Sequence, residues 1–136
     1  THCISSAASD VYKRQRQPDF QHAYNALGYS FAERGIHLDE AEKLVGKALE
    51  MSPGDPFITD SLAWVKFRRG DLDEALRLLE SAYASRPDVE IAAHLGEVLW
   101  AKGDRERAQK IWRQGLATSP DNTTLRETLR RLGVSL

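Results

Sequence analysis

Cysteine is all but absent: the chain of 136 residues has one, Cys3. A lone cysteine closes no internal disulfide, so stability has to come from a packed core. No Cys pair and no HExxH spacing accompany His22, His37 or His94, so no zinc site is expected. Long apolar runs are missing too. Nothing approaches the roughly 18 to 20 residues that a spanning helix needs, so no direct membrane insertion by this segment is expected. Charge of one sign is scarce: the net charge is −1, which leaves little to hold a phosphate backbone, and nucleic acid is not expected as a partner. The small basic excess from Lys102 onward, eight Lys/Arg against four Asp/Glu, reads as a solvated face on terminal helices. Gly46-Lys47 would need Gly where Ala41 stands and Ser or Thr where Ala48 stands to form a phosphate loop. No nucleophile–base pair is identifiable. The expectation is therefore a protein that is not an enzyme, with no catalytic residues, no cofactor and no metal.

Methionine is as rare as cysteine: Met51 is the only one, and it lies mid-chain. The first residue is Thr1, and Asp10-Val11-Tyr12-Lys13-Arg14-Gln15 is the peptide that GAT GTG TAT AAG AGA CAG encodes. That string matches a transposase mosaic-end adapter used in sequencing libraries. Residues 1–15 are accordingly expected to be a non-native, adapter-derived leader that does not belong to the fold. Residues 16–136 are expected to form the domain. Without the leader the chain is free of cysteine, which permits an oxidising compartment without requiring one.

What the chain does have is repetition. Leu27-Gly28, Leu62-Ala63 and Leu95-Gly96 are followed by Gly35, Gly70 and Gly103, then by Ala41, Ala75 and Ala108. Pro53, Pro87 and Pro120 close the units, and equivalent positions lie 33 to 35 residues apart. A period of that length means stacked helical hairpins, because one hairpin cannot bury its apolar face alone. The repeats run from about 21 to 55, 56 to 88 and 89 to 121. In each, Gly is expected to end the first helix and an acidic cluster to open the second. Those clusters are Asp39-Glu40, Asp71 to Glu74 and Asp104 to Glu106. The alanines fall where helices must approach closely. Proline ends each second helix, and Asp55-Pro56 reads as an N-cap followed by proline in the first turn. One extra residue between Gly35 and Ala41 lengthens the first turn. From about 122 to 132 a last amphipathic helix sets Leu125, Leu129 and Leu132 on one face, as a capping element should.

These residues resemble the tetratricopeptide repeat (TPR) family, whose pattern of Leu-Gly, Ala and Pro is matched in all three units. The family's aromatic four positions before the small residue is kept at Tyr24 but replaced by Thr59 and Ala92. The resemblance implies an all-α right-handed solenoid of three helix pairs plus a C-terminal capping helix. It also implies a scaffold or adaptor that binds a protein or peptide in a concave groove lined by the first helices. More narrowly, Glu90 to Trp100 resembles the C-terminal part of proteobacterial outer-membrane TPR lipoproteins, one branch of which serves a periplasmic carboxyl-terminal processing protease. That likeness implies a periplasmic or outer-membrane location, with the cytoplasm as the alternative. Two other roles stay open: the structural cap of a longer array, or a regulatory domain fused to an upstream enzyme.

Counted from the Leu-Gly positions, the groove-facing residues implied by the resemblance are His22, Asn25, Tyr29 and Glu33, then Phe57, Asp60, Trp64, Phe67 and Arg68, then Glu90, Ala93, Glu97 and Trp100. Of these, Tyr29, Phe57, Asp60, Trp64, Phe67, Arg68, Glu97 and Trp100 are the candidate contacts, since aromatic anchors commonly dominate binding. Trp112 takes the second-helix position of Val45 and Leu79 and is expected in the core. His94 is expected to be a polar groove or packing residue. The carboxylate clamp by which some TPR domains hold chaperone C-termini is not matched: Glu90 stands where that pattern needs a base.

Overall fold

The computed structural model describes the backbone of residues 6–136 and the side chains from Phe20 onward. Those residues form seven α-helices and, among the described residues, no strand: α1 (Ser6–Arg34), α2 (Leu38–Met51), α3 (Pro56–Arg68), α4 (Leu72–Ser85), α5 (Val89–Lys102), α6 (Arg105–Thr118) and α7 (Thr123–Leu132). α1 pairs with α2, α3 with α4 and α5 with α6, and each pair packs on the next. α7 closes the stack on α5 and α6. This is the all-α solenoid implied by the period. α1 starts at Ser6, so the backbone of residues 6–15 is helical. Whether the expected leader packs on the repeats depends on side chains outside the described residues.

The punctuation follows from local chemistry. Gly35, Gly70 and Gly103 all take positive φ at the end of a first helix, where a Cβ would be strained. α2, α4 and α6 end at Met51, Ser85 and Thr118, each two residues before the proline that disfavours helix at its predecessor. Asp55 accepts from the amides of Phe57 and Ile58. Asp71, Asp88, Asp104 and Asn122 likewise cap α4, α5, α6 and α7. α2 is the exception. The extra residue in its turn puts His37 itself in the left-handed region, at φ 48°, and α2 has no side-chain cap. Asp39 and Glu40 instead sit inside its first turn, complementing the dipole.

Small residues set the spacing of the pairs. Ala41, Ala75 and Ala108 are fully buried. A Cβ on Gly28 would stand 2.5 Å from Val45 Cγ2, and one on Gly96 would stand 2.1 Å from Trp112 Nε1. The indole therefore lies flush against the backbone of α5, donating to the Ala93 carbonyl at 3.3 Å. Trp112 is fully buried, as its repeat position implied.

Two apolar clusters result. One gathers Ala32, Ala41, Val45, Ala48, Ile58, Trp64 and Val65 around α1 to α3. The other runs from Ala63 through Leu79, Leu95 and Trp112 to Leu129. Leu62 and Phe67 pack against both and join them. No described helix is long and apolar enough to cross a membrane.

Candidate functional site

The first helices of the pairs, together with α7, enclose a cavity of about 430 Å³. α1 supplies Tyr29 and Glu33, α3 supplies Trp64, and α5 supplies His94 and Glu97. The remaining wall is α7, with Thr123, Thr124, Glu127, Thr128 and Arg131. The repeat itself builds this arrangement. Tyr29, Trp64, Glu97 and Arg131 each stand two residues after the repeat leucine, at Leu27, Leu62, Leu95 and Leu129. One register position on the three first helices and on α7 thus faces one space.

Below the cavity, three helices are tied by a buried polar chain. His94 Nδ1 lies 2.8 and 3.0 Å from the two carboxylate oxygens of Asp60, and its Nε2 lies 3.1 Å from the Tyr29 hydroxyl. Asp60 and His94 are 6 % and 4 % exposed, so these bonds are shielded from water. The His94 ring stacks on Trp64 at 4.2 Å, and Trp64 stacks in turn on Phe67 at 4.9 Å. Burial alone would push the His94 pKa down, but the adjacent Asp60 carboxylate outweighs it and the net direction is up. Burial pushes the Asp60 carboxyl up, with His94 opposing in part. The Tyr29 hydroxyl is raised by burial and then by its hydrogen bond to Glu33 and the charge there.

These directions describe one polarised chain. With both ring nitrogens protonated, His94 would donate to Asp60 on one side and to the Tyr29 hydroxyl on the other. Glu97, 6 % exposed, is held by Arg131, whose Nη1 donates to Oε2 at 3.0 Å. Thr124 Oγ1 donates to Glu90 at 2.7 Å, fastening α7 to α5. The indole Nε1 of Trp64 is buried without an acceptor.

Of the candidate contacts, Tyr29, Trp64 and Glu97 line the cavity together, joined by Glu33. Trp64 is only 3 % exposed, so it is both cavity wall and core. Asp60 lies beneath, as the partner of His94. Phe67 is half-buried behind Trp64. Phe57 is exposed at the start of α3, with the Arg86 guanidinium 5.4 Å from its ring centre. Arg68 is exposed at the end of α3. Trp100 turns towards α6, 5.6 Å from Trp112 and with Arg105 over its face at 4.3 Å. His22 and Glu90 are exposed, Asn25 is half-buried and Ala93 is buried. The residues of α7 were missing from the candidates. Their signal was the period: Arg131 follows Glu97 by 34 residues.

Comparison with known proteins agrees with this geometry. A family model described as tetratricopeptide repeat matches residues 66–132. These are tetratricopeptide repeats. The chain is 48 % identical over 82 residues to a TPR repeat-containing protein of Pseudomonas aeruginosa, covering 60 % of this chain and 14 % of that protein. It is 32 % identical over 111 residues to cellulose synthase operon protein C of Pseudomonas fluorescens, covering 75 % of this chain and 9 % of that one. The chain therefore spans a small part of the length of either relative. Among solved structures, a TPR protein of Thermus thermophilus superposes with a TM-score of 0.72 at 20 % identity, covering 95 % of this chain and 73 % of that one. The first TPR domain of human RPAP3 gives 0.71 at 21 % identity, covering 85 % and 91 %. A further structure is the first TPR of Spaghetti (RPAP3) bound to the HSP90 peptide SRMEEVD, with a TM-score of 0.67, 21 % identity and coverage of 85 % and 94 %. At these identities the TPR structures show a shared fold.

Proposed function

We propose that this TPR segment is a non-catalytic protein-binding module whose concave face takes a peptide or protein partner at the cavity between α1, α3, α5 and α7. The observation that carries this reading is the cavity itself. It is about 430 Å³, within the range of ligand sites, and it sets aromatic walls beside a few convergent polar groups. Rigid helices hold those groups in place before a partner arrives, which lowers the ordering cost of binding. On this reading the partner is a periplasmic carboxyl-terminal processing protease or its substrates, as the resemblance to outer-membrane TPR lipoproteins implies. The identity shared with the Pseudomonas aeruginosa protein supports that bacterial setting.

Thr123→Trp is the test. Thr123 is exposed at the first position of α7 and lines the cavity, so an indole there fills the space without entering the core. Pull-down of the protease or its substrates should fall at least about tenfold, a loss of roughly 1.4 kcal/mol, with helical circular dichroism unchanged. Undiminished binding by this variant would move recognition off the concave face.

A second reading is that the segment closes the C-terminal end of a longer array, and Leu27 favours it. The repeat leucine is 1 % exposed at Leu95 but 47 % exposed at Leu27. Leu27 sits with Tyr24, Phe31 and Leu44 in an open apolar hollow of about 300 Å³. A preceding second helix would cover that hollow as α4 covers α5. Leu27→Asp should then cost little in this segment, and about 2 kcal/mol or more in a chain carrying the preceding repeat. Equal cost in both, read from urea unfolding, would remove the reading.

A further inference from the structure

The charge of the cavity points to the kind of side chain it accepts. Its lining carries three carboxylates, Glu33, Glu97 and Glu127, and one guanidinium, Arg131. Arg131 is committed to Glu97. Glu127 is paired at the surface with Arg130. The charge of His94 is matched by Asp60 beneath it. That leaves Glu33 in no ion pair among the described residues, although Arg131 and His94 both feel its charge. Glu90, bound to Thr124, adds a further carboxylate at the rim.

The second observation is the unpaired indole N–H of Trp64, a wall residue that is 3 % exposed and has no acceptor. A buried donor without a partner is costly, so the described residues leave this wall with unmet hydrogen-bonding capacity. An acidic segment such as the HSP90 peptide SRMEEVD bound to the RPAP3 domain would bring like charges against Glu33 and Glu127.

We propose that the cavity takes one basic side chain, Lys or Arg, from an extended segment of the partner, with Glu33 as its main counter-charge. The inference rests on the concave face being the binding surface. The ammonium or guanidinium enters between α1 and α7, its apolar stem lies along Tyr29, and Glu127 supports it from the facing helix. Salt should weaken the contact at the mouth, where water still screens the pair.

The experiment selects peptides from a random dodecapeptide library displayed on phage, against the immobilised chain. Enriched sequences are then labelled with fluorescein and followed by anisotropy. A Lys or Arg is expected at one fixed position. Its replacement by norleucine, which keeps the length and removes the charge, should weaken binding at least tenfold. Glu33→Gln should do the same to the basic peptide and leave the norleucine peptide unchanged. Peptides that Thr123→Trp blocks but that carry no basic residue, or that ignore Glu33→Gln, would overturn this inference and leave the concave-face reading standing. Peptides indifferent to Thr123→Trp, or no enrichment of any sequence, would overturn both.

Discussion

Ala75→Asp should unfold the middle of the stack. Ala75 is fully buried in the cluster that joins α4 to α5, and its neighbours there are apolar. A carboxylate at that site has no cation to pair with, and an uncompensated buried charge commonly costs several kcal/mol. One effect opposes this. Ala75 is the fourth residue of α4, close enough to the helix N-terminus for an acid to gain about 0.3–1 kcal/mol from the dipole. Asp73 and Glu74 already occupy that turn, and they do so from the solvent side or half-buried. Burial therefore wins, by about 3–5 kcal/mol, against a total stability of roughly 5–15 kcal/mol for a domain. Thermal melts followed by circular dichroism should show Tm lowered by about 10–20 °C. Ala75→Ser is the control: a hydroxyl can return its hydrogen bond to the helix backbone, and its loss should be a small part of this. A melt of Ala75→Asp within a degree or two of the parent would mean that the close contact lies elsewhere in the repeat.

The same residue shows how far the sequence alone carried. Repeat spacing identified Ala75 and its equivalents as close contacts, because a 33-residue period leaves few ways to stack a hairpin and the small positions recur with it. The caps were legible for a similar reason: Asp before a helix, glycine after it and proline beyond it act through local backbone chemistry. The first turn escaped. Its extra residue was visible, but that Leu38 begins α2, with His37 before it in a left-handed conformation, depends on how the longer turn closes. Trp100 also escaped. Helical spacing put it on the groove side, while the flat surface of Trp112 and the Arg105 guanidinium draw it towards α6. The polar chain was the least legible feature. Asp60 and His94 sit at different positions of their repeats, so no periodic pattern pairs them. Only the stagger between neighbouring hairpins brings them within 2.8 Å.

That pair carries the second large effect. His94→Leu removes the imidazole bound to Asp60, leaving a carboxyl group that is 6 % exposed to face an apolar side chain. Breaking a buried pair from one side costs about 3–5 kcal/mol, because the remaining charge keeps its desolvation penalty and loses its partner. Removing both is different. Asp60→Leu with His94→Leu replaces the pair by apolar groups, and the double variant should regain most of what either single variant loses. Chemical denaturation of the four species then gives a coupling of about 2–3 kcal/mol. The pH dependence supplies an independent reading. The His94 pKa is raised above its ordinary 6.5, so the folded state holds this proton more tightly than the unfolded chain. Its share of stability is fully present below about pH 6.5 and is lost as pH rises through the folded value. Asp60, also raised, acts in the same sense. The parent should therefore lose stability relative to the double variant as pH rises above about 6.5. A parent that instead loses stability relative to the double variant as pH falls below about 6.5 would show that His94 is neutral in the fold. Tyr29 would then donate to His94 Nε2, and Glu33 would lose the tyrosine proton from its side of the cavity.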